Sequence, residues 1–319
     1  MSAEHPRIVD FGDGISAIDA EYVASGVAAS HLVVDGDEAA LVDVGTNHSV
    51  PVILAALKQK GIAPEQVRYV CVTHIHLDHA GGAGRIMREL PQATLVTHPR
   101  AERHMVDPSK LYQGALAVYG EEAMARLYGE LEAVPQTRVQ SVNDGDTLAL
   151  GDREWVFLDT PGHAYHHYSI HDPQHARVFS GDTFGLSYRA LDTDKGVFIF
   201  PSTTPVHFDP EAAHQSIERL MALQPEAIHL AHFGEVRELA RLAEDLHRGL
   251  DAMVAIARRH ADAGEARYDR IVSDIRNWLL DALRTHGCEL ASERIDAIIG
   301  MDVDINAQGL EVWLDKQQG

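Results

Sequence analysis

The run Thr73-His74-Ile75-His76-Leu77-Asp78-His79-Ala80-Gly81-Gly82 places three imidazoles and one carboxylate within six positions. Neutral imidazole and carboxylate are the ligands that borderline divalent metals such as zinc accept, and a tight turn can aim alternate side chains at one point. In a chain with 20 His and 27 Asp, the pattern H-x-H-x-D-H is expected by chance with a probability of about 1%. The run therefore reads as a metal-binding loop.

Such a loop needs a rigid base and further ligands. Its base is the preceding run Val67-Arg68-Tyr69-Val70-Cys71-Val72, nearly continuous in apolar residues as in a strand buried on both faces. Further ligands should also sit just past strand ends, and three segments do: Asp159-Thr160-Pro161-Gly162-His163, Phe179-Ser180-Gly181-Asp182-Thr183 and Ala231-His232-Phe233-Gly234. In each, a residue of ligand type lies beside or near a glycine, which permits the tight backbone turn that a ligand loop requires.

The elements that would carry these loops follow from periodicity and turn signals. Strands are expected over residues 15–18, 28–34 and 39–44, the latter two joined by Asp35-Gly36-Asp37. A helix over 49–60 has Ser49 as N-cap and Gly61 as stop, and a second helix covers 82–90. A strand over 93–97 precedes a helix-rich stretch, 99–134, which either covers a site as a lid or packs outside the sheet. Strands resume over 147–150, 154–158, 168–171 and 177–180, followed by a helix over 211–223 and a strand over 227–230. Helical periodicity then takes over, at 236–263, 266–285 and 292–299, with Trp278, Leu279 and Leu283 as core candidates.

Taken together, H-x-H-x-D-H, the P-G-H of 161–163, the S-G-D of 180–182 and a final His after a strand resemble the metallo-β-lactamase-fold hydrolase superfamily over roughly residues 7–234. The resemblance implies an α+β protein, a four-layer αβ/βα sandwich with the metals at one edge between the sheets. It implies His74, His76 and His163 as ligands of one divalent ion, Asp78, His79 and His232 as ligands of a second, and Asp182 as the carboxylate bridging both. Asp43 becomes a supporting residue, since a ligating His commonly gives its other nitrogen to a carboxylate. The glyoxalase II branch has a Gly-His pair where His166-His167 stand; His167 matches as a supporting residue, and His166 departs from the glycine.

The expected organisation is a catalytic domain over 1–234 with a helical insertion at about 99–134, then a helical extension over 235–319 that resembles the glyoxalase II substrate domain in position alone. Two ions would share and acidify a bridging water, giving a hydroxide that cleaves an ester, thioester, lactone or amide carbonyl, with Asp78 shuttling a proton. Zinc is the expected metal, with iron or manganese as other occupants. Relatives of the family also include iron-dependent persulfide dioxygenases, which share H-x-H-x-D-H, so an iron oxidoreductase is the first alternative. A binding module that retains metal is the second. Tyr165, Tyr188 and His207 could donate to an oxyanion, although packing or surface roles account for them more simply.

Composition bounds the partners. The chain has 319 residues, 45% of them hydrophobic, and a formal net charge of -21 spread along its length. That charge argues against sequence-independent binding to nucleic acid or to an anionic membrane. Two dications against two carboxylates and a hydroxide leave about +1 at the centre, so a small-molecule substrate is expected, anionic ones included. With no leader-like start and no apolar run of membrane-spanning length, cytoplasmic residence is the expectation. Cys71 and Cys288, far apart in sequence, suggest no disulfide framework.

Overall fold

A computed structural model describes residues 6–318 of the chain. In β3 (Ala29–Asp35) and β4 (Glu38–Val42) successive side chains leave on opposite faces. Leu32 and Leu41 enter one apolar cluster, while Val33, Ala40 and Val42 enter another. Both faces of these strands are buried, which is why their sequence is apolar without alternation.

The first sheet runs β1 (Ile8–Gly12), β2 (Ile15–Asp19), β3, β4, β5 (Val67–Cys71), β6 (Thr94–Thr97), β7 (Val139–Ser141) in spatial order. It is antiparallel as far as β4 and parallel beyond. Parallel neighbours need crossovers. These are supplied by α1 (Val50–Gln59) before β5, and by α2 (Leu77–Ala80) and α3 (Ala83–Glu89) before β6. Ile53, Ala56 and Leu57 of α1 and Ile86 and Met87 of α3 bury into the cluster that Leu32 and Leu41 enter.

The second sheet contains β8 (Thr147–Leu150), β9 (Arg153–Asp159), β10 (Tyr168–Asp172), β11 (Arg177–Gly181), β12 (Ala227–Leu230) and β13 (Gly234–Val236), neighbours in that order. Between the sheets lie Trp155, Phe157, Tyr168 and Phe179, packed on Val33, Val42, Cys71 and Val96. Truncating one such ring to alanine costs about 3–5 kcal/mol. Cys71 and Cys288 are both free thiols, and burial pushes the Cys71 thiol above its ordinary value.

The insertion forms α4 (Pro99–Val106) and α5 (Ser109–Leu127), the latter interrupted at Gly120. Ala101 and Met105 of α4 belong to the core. The end of α5 is tied down: Asn47 N–H donates to the Tyr128 carbonyl at 3.2 Å, and the Tyr128 and Tyr22 hydroxyls pair at 2.9 Å.

The chain divides into two compact units. One comprises the residues up to Asp159 with His166–Gly181 and Glu226–Glu235; the other comprises Thr160–Tyr165, Asp182–Pro225 and the chain from Val236 onward. The second unit holds α6 (Pro210–Ala222), α7 (Leu239–Arg259), α8 (Arg267–His286) and α9 (Ser292–Gln318). A stripe at helical spacing on α7, Leu239, Leu242, Leu246, Leu250 and Met253, is buried, as are Leu279 and Leu283 of α8, whereas Trp278 is half-buried. Among the described residues, no helix is long and apolar enough to cross a membrane.

Two mixed sheets with helices, followed by a helical C-terminal region, form the expected α+β sandwich. Several boundaries differ from the expected ones. Strands β1, β7 and β13 were not expected; β13 takes Gly234–Val236, so α7 starts later than residue 236. Ser49 occupies the N-cap of α1 without capping it. Its hydroxyl instead donates to the Ala20 carbonyl at 2.7 Å and accepts the Thr46 N–H at 3.1 Å. The last helix continues to Gln318 rather than stopping at 299.

Candidate metal centre

The metal loop is built on Asp43, which follows β4 in the left-handed region at φ 56°. Asp tolerates that conformation better than most residues. Its N–H donates to the Cys71 carbonyl at 2.8 Å, and its buried carboxylate accepts from Thr73 N–H at 2.8 Å and from the Thr73 hydroxyl at 2.9–3.0 Å. His79 Nδ1 lies 2.9 Å from the other side of the same carboxylate. One buried anion thus orients both ends of the loop.

These bonds fix the histidine tautomers. An ionised carboxylate only accepts, so Nδ1 of His79 carries the proton and Nε2 presents a lone pair. His232 Nδ1 faces the Val27 carbonyl at 2.8 Å and is fixed in the same way. The Thr73 hydroxyl spends its proton on Asp43, so His74 Nδ1, 3.1 Å away, donates to it and leaves Nε2 bare.

The bare atoms converge. His79 Nε2 is 3.3 Å from His232 Nε2, and Asp78 Oδ2 is 3.6 Å from the first and 3.3 Å from the second. His74 Nε2 and His76 Nδ1 are 2.9 Å apart. Three acceptors cannot face one another at these distances unless a proton or a cation lies among them, and the N/N/O set suits a divalent ion. Burial alone would raise the Asp78 carboxyl. Where protons rather than a cation lie among these atoms, the imidazoles of His79 and His232, with that of His76, outweigh it and hold the group below the ordinary carboxylate range.

The helical turn α2 accounts for the placement of Asp78 and His79. His76 stands at its N-cap position and the turn lifts both residues from one short segment, where the sequence suggested only a loop. Behind the loop, the His167 ring lies 5.0 Å from that of His74 and is buried. Burial, then the imidazoles of His79, His166 and His76, push His167 well below its ordinary value, so it is neutral. A side chain at Gly181 would put a Cβ 2.5 Å from His167 Nε2 and 2.7 Å from the Thr73 hydroxyl, at φ 50°. The glycine of S-G-D is therefore demanded by close packing beneath the site.

In the second unit, His163 and Asp182 lie side by side, with Nε2 to Oδ2 at 3.5 Å. Both are buried. The P-G-H loop that carries His163 rests on α6: a Cβ at Gly162, φ 125°, would meet Ala213 Cα at 2.4 Å. Ser216 donates to the Pro161 carbonyl at 2.6 Å, and Asp209 N–H donates to the Gly162 carbonyl at 2.8 Å. His163 and Asp182 border a small cavity whose apolar side includes Pro201, Ile217, Leu246 and Leu250.

The other candidates fall elsewhere. Tyr188 is buried with its hydroxyl on Asp302 at 3.0 Å, and Tyr165 stacks on His207 with centroids 4.6 Å apart. The Val27 carbonyl had no sequence signal, since any residue supplies that group. Thr73 was visible as the first position of the motif, but its link between Asp43 and His74 is a product of the fold.

Known proteins resemble this chain in sequence and fold to differing extents. A hydroxyacylglutathione hydrolase of Xanthomonas axonopodis pv. citri is 29% identical over 311 residues, 95% of this chain and 97% of that protein. A human acyl-coenzyme A thioesterase is 29% identical over 189 residues, 54% of this chain and 63% of that protein. The matches to three of the curated relatives span only 62–63% of those proteins' lengths. The solved structure of an archaeal metallo-beta-lactamase superfamily protein from Sulfolobus tokodaii superposes with a TM-score of 0.65 at 21% identity, covering 94% of this chain and 99% of that one. A family model described as the metallo-beta-lactamase superfamily matches residues 25–232. With that span of the chain matched and the sandwich fold shared, this protein belongs to the metallo-beta-lactamase superfamily.

Proposed function

We propose that the chain is a dinuclear metal-dependent hydrolase that cleaves an acyl bond of a small molecule. In this reading His74, His76 and His163 hold one ion, Asp78, His79 and His232 hold the other, and Asp182 bridges them. The observation that carries it is the convergence of Asp78 Oδ2, His79 Nε2 and His232 Nε2 within 3.6 Å, with both tautomers fixed from behind.

When bound, the ions supply a Lewis acid for the carbonyl oxygen and lower the pKa of the attacking water. The chain does the rest. Asp43 and the Val27 carbonyl keep the Nε2 atoms of His79 and His232 unprotonated and aimed inward. Asp78, whose Oδ2 would be committed to the ion, would accept the proton of the attacking water at its other carboxylate oxygen. Neutral His167 packs behind His74 without adding positive charge.

Thioesters lead the substrate classes, because two of the named relatives act on acylated thiols and one of them aligns along 95% of this chain. Zinc leads the metals on the donor set. The test is a panel of acyl thioesters, esters and lactones before and after chelation. Turnover that chelation and the variants His74→Ala and Asp182→Ala all abolish supports the reading. Iron at stoichiometric level with oxygen uptake on a persulfide, and no hydrolysis, overturns it.

A further inference from the structure

A second set of metal-type side chains lies on the helices of the second unit. His214 and Glu218 are one turn apart on α6, and His247 and Asp251 are one turn apart on α7. The rings of His214 and His247 stack at 15° with centroids 4.9 Å apart, and their Nδ1 atoms are 2.6 Å from one another.

The protonation pattern follows from Asp251. Its Oδ1 lies 3.3 Å from His214 Nε2, so that nitrogen carries the proton and Nδ1 presents a lone pair. The arrangement repeats the one between Asp43 and His79, a carboxylate behind an imidazole that turns the other nitrogen outward. Two neutral rings meeting at Nδ1 can share one proton between them. Burial and then His214 hold His247 below its ordinary value, against the opposing pull of Glu218 and Asp251. A cation can take the place of that proton when the proton moves to His247 Nε2, which leaves both rings neutral.

We propose that His214 Nδ1 and His247 Nδ1 bind one further divalent transition-metal ion, zinc by donor type, with Asp251 orienting His214 and water completing the coordination. A pair of imidazoles suits zinc and discriminates against magnesium and calcium, which favour all-oxygen sites. Tetrahedral ligation at about 2.0–2.1 Å per nitrogen needs the two Nδ1 atoms about 3.3 Å apart, an opening that two partly exposed side chains supply by rotation. The proton on His247 Nδ1 passes to Nε2 of the same ring, so both imidazoles bind in their neutral form.

The ion would clamp α6 to α7. Those helices carry the groups beneath the His163 loop: Ala213 against Gly162, Ser216 on the Pro161 carbonyl, and Leu246 and Leu250 beside the His163 and Asp182 cavity. The clamp acts on stability and leaves the centre's own ligands untouched.

The test is a calorimetric zinc titration of the full chain, already zinc-loaded and freed of excess metal, followed by melting with and without added zinc. The wild type takes up one more ion per chain, and added zinc raises its melting temperature by several degrees. His247→Ala takes up none, shows no zinc-dependent rise and keeps the hydrolytic rate. His214→Gln, which preserves size and polarity, gives the same loss and decides the matter if His247→Ala folds poorly. No further uptake by the wild type, or equal uptake by the wild type and His214→Gln, overturns the proposal.

Discussion

The Asp43 carboxylate lies 2.9 Å from His79 Nδ1 while accepting both the N–H and the hydroxyl of Thr73. One anion, placed by a left-handed residue at the end of β4, therefore determines which nitrogen of two separate histidines faces the centre. The four candidate ligands of the loop would not suffice without it, since imidazole can present either nitrogen.

Asp43→Asn tests that dependence. An amide can accept from Thr73 or from His79 but cannot serve both as the carboxylate does, and its NH2 faces a donor. Metal affinity should fall about 10–100-fold, the usual cost of losing such a supporting partner, while the fold persists. Metal-buffer titration monitored by circular dichroism measures both.

Gly181→Ala probes the packing beneath the centre. The added Cβ meets His167 and Thr73 well inside van der Waals contact, and alanine is disfavoured at φ 50°. A destabilisation of about 1–3 kcal/mol is expected from the strained backbone alone. Urea unfolding gives that number, and loss of metal binding at urea concentrations below the transition would show displacement of Thr73.

His31 sets a pH dependence of stability through its burial. It is buried against Phe179 and His229, and desolvation lowers its pKa to about 4 from an ordinary 6.5. The unfolded chain takes up a proton as pH falls through 6.5, whereas the folded chain resists until about pH 4. The stabilising effect is complete above pH 6.5 and is lost across that window, about 3 kcal/mol in all. In His31→Leu the decline of stability between pH 6.5 and 4 should be shallower by up to one proton; an unchanged slope by urea unfolding would contradict the assignment.

The candidate metal loop and the three candidate partner segments stand out in the sequence because ligand chemistry is local: a histidine or aspartate after a strand, next to a glycine, announces itself. The strand at 227–230 was legible for the same kind of reason, four apolar or buried residues between turns. What sequence could not show is set by pairing. Strands β1, β7 and β13 are three to five residues long and gain their definition from neighbours rather than from composition. The last helix was expected to end at 299, yet the Gly300 that follows sits in open space where glycine costs only about 1 kcal/mol, and Val303, Ala307, Leu310 and Leu314 continue the buried stripe beyond it. The Val27 carbonyl on His232 is a backbone group brought in from a loop some two hundred positions away. Its role is invisible until the sheets assemble.

The central claim is most directly tested by titrating zinc into the metal-free chain while following hydrolysis of an acyl thioester. Using His247→Ala confines the ions to the proposed centre. The account predicts negligible rate without metal and a rate that rises to saturation at two equivalents per chain. Full turnover in the metal-free chain, or none on any acyl thioester, ester or lactone once two equivalents are bound, would contradict it.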